Sequence, residues 1–76
     1  MNEHDSPRFV GFERGEIVQK KGGPLYRVKS LTRNGIVSRW IKAIPQENDS
    51  EFSIGDKAYF FMFEDGRGMV LGPVID

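Results

Sequence analysis

Leu25-Tyr-Arg-Val-Lys-Ser-Leu-Thr32, then Arg33-Asn34-Gly35, then Ile36-Val-Ser-Arg-Trp-Ile-Lys-Ala-Ile44: the reading of this stretch decides the fold. Two runs rich in β-branched and aromatic residues flank an Asn-Gly pair. A tight hairpin turn needs positive φ at both central residues, which Asn and Gly tolerate best. Working outward, Glu16–Lys20 reads as a strand ended by Gly22-Gly23-Pro24, Lys57–Phe63 as a fourth, and Met69–Ile75 as a fifth after the turn Glu64-Asp-Gly-Arg-Gly68. Pro45–Ser50 reads as a polar loop, with at most one helical turn between 45 and 54. No window keeps apolar residues at i, i+3, i+4 and i+7, so no long helix is expected.

Five short strands with tight turns in about 60 residues imply an all-β domain with one small core. The expected architecture is a small SH3-like barrel over residues 13–76, with an OB-like barrel as the alternative. Residues 1–12 are expected to form a disordered N-terminal tail whose end docks through Phe9 and Phe12.

Net charge is zero, from 11 bases and 11 acids, but the charges are segregated. Residues 17–44 carry Lys20, Lys21, Arg27, Lys29, Arg33, Arg39 and Lys42 and no acid, while the flanking segments are acidic. One reading is an anion-binding face built on Arg27, Lys29, Arg33, Arg39 and Lys42, joined by Arg67 from the last turn. The other is that the acidic C-terminal part folds against these bases and neutralises them.

The central hairpin can close in two registers. A two-residue Asn34-Gly35 turn pairs Arg33 with Ile36 and puts Tyr26, Val28, Val37, Ile41 and Ala43 on one face. A three-residue turn pairs Thr32 with Ile36 and groups Tyr26, Val28, Ile36, Trp40 and Ile44. A slip of one residue swaps every side chain between faces. The second register buries Trp40, a gain of about 2–3 kcal/mol, and is the one expected. It sets Lys29 opposite Arg39; the first sets Arg27 opposite Lys42 and Lys29 opposite Trp40. Opposed like charges destabilise a sheet unless an acid or a bound anion relieves them.

Tyr59-Phe60-Phe61-Met62-Phe63 is apolar at every position, yet only one face of a strand can enter a small core. With Phe60 and Met62 inside, Tyr59, Phe61 and Phe63 point outward, and the reverse assignment is the alternative; the row Tyr59, Phe61 and Phe63 is the outward one expected. Either the chain's own tail or a bent strand covers them, or they form a protein interface.

Catalytic chemistry has little to be built from. His4 is the single histidine and sits in the expected tail, so a Ser–His pair has little to be built from; with no cysteine, Cys–His pairs, disulfides and cysteine zinc sites are excluded. Gly22-Gly23-Pro24 lacks the Gly-Lys-Ser/Thr of a phosphate loop, and Glu64-Asp65 are adjacent turn residues that point apart. No enzyme activity, cofactor, metal or small-molecule substrate is expected. No apolar run approaches the length of a membrane span and Met1–Asp5 does not resemble a secretion signal, so a cytoplasmic protein is expected.

Val18-Gln-Lys-Lys-Gly-Gly-Pro24, Val28, Ile36 and Arg39-Trp40 resemble the YodC-like family, short bacterial proteins of uncharacterised function. The resemblance covers residues from about 16 to 52 and implies a small β barrel with Trp40 in an apolar row. Gly55-Asp56 with Met69-Val-Leu-Gly72 resembles the final hairpin of phage baseplate OB-type modules. Three functional expectations result: a module binding a protein partner or itself through Tyr59, Phe61 and Phe63; a nucleic-acid-binding barrel using the basic 20–42 segment; and a phage-type structural subunit.

Overall fold

The computed structural model describes residues 12–44 and 51–75. Within them the chain forms β1 (Glu13–Lys21), β2 (Leu25–Ser30), β3 (Lys42–Ala43), β4 (Lys57–Met62) and β5 (Gly68–Pro73), with no helix among the described residues. The expected tail over 1–11 and the loop Pro45–Ser50 lie outside the described residues.

One sheet has the order β2-β1-β4-β5-β3. Its ladders are antiparallel except for β3, which runs parallel to β5. The sheet curls until the 36–41 segment meets β2 again, through bridges Tyr26↔Ile41 and Lys29↔Val37. The result is a small five-stranded barrel. Bulges between Ile17 and Gln19 and between Tyr59 and Phe60 add the local twist that such tight curling requires.

Alternation along the strands fills the interior. Ile17 of β1, Tyr26 and Val28 of β2, Ala58, Phe60 and Met62 of β4 and Val70 of β5 are buried, joined by Ile41 and Phe52. Gly15 makes room for this packing: a Cβ there would stand 2.5 Å from both the Phe60 ring and Val28. Phe52 follows the 45–50 segment and plugs the core. It meets the Tyr26 ring edge-on at 5.6 Å, and its N–H donates to the Tyr26 hydroxyl at 3.1 Å.

The central hairpin departs from both expected registers. Asn34 (φ 56°) and Gly35 (φ 72°) do form the tight turn, with the Ile36 N–H donating to Arg33 O at 3.2 Å. The ladder, however, begins further back, where Ser30 N–H donates to Ile36 O at 2.8 Å. The Ser30 hydroxyl takes up the extra chain by accepting from the N–H groups of Thr32 (3.1 Å) and Arg33 (2.9 Å). Such local bonds from serine compete directly with a regular ladder.

Trp40 is therefore not in the core. It is 37% exposed, and Ile36 and Ile44 of the same expected row are exposed as well. The cause lies at Ser38, which is fully buried. Its N–H donates to Val28 O, and its hydroxyl accepts from Val28 N–H at 2.9 Å while donating to Arg39 O at 2.7 Å. The next residue leaves β2: Arg39 N–H donates to Gly66 O in the turn between β4 and β5. Arg39 and Trp40 thus form an irregular step in which the chain crosses from β2 toward β5. The step reverses the alternation, so Ile41 enters the core instead of Trp40. For the same reason the expected third strand over 36–44 shrinks to Lys42–Ala43 and isolated bridges.

Candidate functional site

The outer row of β4 is a run of aromatic residues on the described surface. With Ala58, Phe60 and Met62 inside, Tyr59, Phe61 and Phe63 face outward, as alternation requires. Tyr59 and Phe61 are half-buried, and Phe63 is 58% exposed. The row is organised by ring contacts. Phe12, just before β1, meets Tyr59 edge-on at 5.3 Å, and Phe61 meets Phe63 at 5.5 Å and 66°. Phe12 thus docks on the barrel as expected; Phe9 lies outside the described residues.

The apolar surface continues onto β5 and β3. Met69 stands opposite Phe61, and Lys42 opposite Met69. Leu71 and Ile44 follow by alternation from buried Val70 and half-buried Ala43. The sequence signal for Met69 and Leu71 was their flanking of Val70, legible only once β5 was paired with β4. Both ends of the row carry mixed charge: Arg14 stands opposite Tyr59 and Lys57 opposite Glu16 at one end, and Glu64 and Asp65, the latter 3.6 Å from Arg67, follow Phe63 at the other.

The bases expected to form one face are dispersed. Arg33 pairs with Glu13 Oε2 at 2.5 Å and donates to Met62 O at 3.1 Å. Lys29 stands opposite Glu16 on β1 and Val37 on the other side, not opposite Arg39, so the expected clash of like charges is absent there. Arg27 donates to Gln19 Oε1 at 2.9 Å and to Ser38 O at 3.0 Å. Arg39 packs its side chain against Gly66, Lys42 sits beside Met69, and Arg67 lies 3.6 Å from Asp65. Lys20 reaches Glu51 at 3.0 Å.

Glu13 anchors a cluster that the sequence did not reveal. Its Oε1 accepts from the hydroxyls of Ser30 (2.5 Å) and Thr32 (2.8 Å) while Oε2 holds Arg33. Burial on its own raises the carboxyl's pKa. Hydrogen bonds from Ser30, Arg33 and Thr32, with the Arg33 charge, outweigh it and leave the pKa below the ordinary carboxylate value. Both carboxylate oxygens are engaged by structural partners, so the cluster ties the 31–35 turn to β1 and, through the Arg33 bond to Met62 O, to the end of β4.

Among the described residues no group of three or more His, Asp or Glu side chains is placed to hold a metal ion, and no helix is long and apolar enough to cross a membrane. The chain matches no family model and no curated protein.

Proposed function

We propose that this chain is a non-catalytic cytoplasmic interaction module, which joins a second copy of itself through the outer face of β4. The outward aromatic row carries this reading: two ring pairs, Phe12–Tyr59 and Phe61–Phe63, lie on the outside of a barrel whose interior is already filled. Exposed contiguous aromatics of this kind mark contacts.

A second copy is the occupant proposed. From Tyr59 to Phe63 the row is about 13 Å long, and charges of both signs stand at each end, Arg14, Lys57 and Glu16 at one and Glu64, Asp65 and Arg67 at the other. Two copies packed about a two-fold axis set the same mixed rim against itself, so each base can meet an acid of the other copy. Zero net charge adds no general repulsion. The non-sequential strand order with one parallel pair is that of a partly open Greek-key barrel, which favours the OB-like form over the SH3-like one.

Sedimentation equilibrium tests the reading. A wild-type dimer that Phe61→Asp converts to a folded monomer supports it. A wild-type monomer at high concentration, or a dimer indifferent to Phe61→Asp, overturns it.

A further inference from the structure

We infer that a second, separate surface, centred on Trp40, binds single-stranded nucleic acid by stacking a base on the indole and holding its phosphates with Lys21 and its basic neighbours. This does not rest on the proposed self-association, since Trp40, Lys21 and Arg27 are not part of the β4 row.

The step at Arg39-Trp40 that keeps the indole out of the core also delivers it to the outer wall among cations. Lys21 Nζ stands 4.4 Å from the centre of the ring. Arg27 is held by the neutral oxygens of Gln19 and Ser38, the latter two residues before Trp40. Lys20, next to Lys21, is paired with Glu51 at 3.0 Å, so the charges at the indole are those of Lys21 and Arg27. A large half-covered indole within a set of cations has the two components that capture a single strand: a sequence-tolerant stacking platform and a backbone-tracking charge.

The contact between Lys21 and Trp40 does not close the site. An exposed cation–π contact is weaker than a stacked base. An incoming base therefore displaces the ammonium from the ring, and the freed lysine finds a phosphate of the same strand. A duplex offers no unstacked base and meets only the charges.

The test uses the full chain and labelled oligomers of deoxythymidine and of uridine, about twelve nucleotides long, with a blunt duplex and inorganic polyphosphate as controls. Trp40 is the single tryptophan, so its fluorescence reports on the site directly. Expected are quenching on binding, an affinity falling with salt as two or three phosphate contacts require, and weaker binding of both controls. Trp40→Ala should weaken binding about tenfold with an unchanged circular dichroism spectrum, Trp40→Phe should restore most of it, and Lys21→Gln should flatten the salt dependence. Binding of one oligomer only identifies DNA or RNA as the ligand. The inference is overturned if neither oligomer binds at low salt, if binding leaves the fluorescence unchanged, if polyphosphate binds as tightly, or if folded Trp40→Ala binds like wild type.

Discussion

The hairpin of β4 and β5 and the hairpin that leads from β2 into the 36–43 segment are built from similar residues and obey different rules. In the first, backbone bonds make up the ladder, and alternation correctly sorts Phe60 and Met62 inward from Tyr59, Phe61 and Phe63 outward. In the second, the hydroxyls of Ser30 and Ser38 take backbone N–H groups that a ladder would otherwise use, and Trp40 emerges on the surface. Counting apolar positions predicts faces only where backbone groups bond to one another. Where a side chain replaces one of them, the chain can gain a residue without losing a hydrogen bond, and the count shifts.

The sharpest way to break this comparison is to truncate one large aromatic in each hairpin. Phe60 is fully buried and packs over Gly15, so Phe60→Ala should cost about 3–5 kcal/mol, a large part of the stability of so small a domain. Urea denaturation measures it; a loss under about 1 kcal/mol would mean the β4 alternation is misread.

Ser38→Ala tests the serine half. It leaves the buried Val28 N–H without its partner, and a loss of about 1–3 kcal/mol is expected. A neutral substitution would show that the hydroxyl follows the register and does not set it.

The Glu13 cluster adds a pH dependence where the second hairpin meets β1. Because the folded pKa lies below the ordinary carboxylate value, the unfolded chain takes up the proton first. The stabilisation is complete above the unfolded value and is lost as pH falls through the folded one. Glu13→Gln should flatten the acid limb of a stability-against-pH curve; an unchanged limb would exclude Glu13 as its source.

The smallest effect is expected at Trp40. Its native emission should be that of a partly hydrated indole, and Trp40→Ala should cost less than about 1 kcal/mol, the scale of one exposed cation–π contact. A strongly blue-shifted emission and a cost like that of Phe60→Ala would return Trp40 to the core and erase the contrast.

Much of the architecture was legible in local chemistry. The Asn34-Gly35 turn, the two glycine-rich turns, the short β-rich runs between them and the lack of helical periodicity all point to a five-stranded barrel, because φ preference and strand propensity are properties of a few adjacent residues. That one row of β4 must face outward was legible for the same reason; that the row is Tyr59, Phe61 and Phe63 was decided by the fold. Tertiary structure alone decided that Phe52 plugs the core against Tyr26, that Arg33 is spent on Glu13 and Lys29 faces Glu16, and that Trp40 stays outside. Those outcomes depend on which strand the chain joins after Ser38. That choice is settled by barrel closure, when Arg39 bonds to Gly66, a residue 27 positions away. No local pattern carries it, since the partners meet only once the sheet has curled.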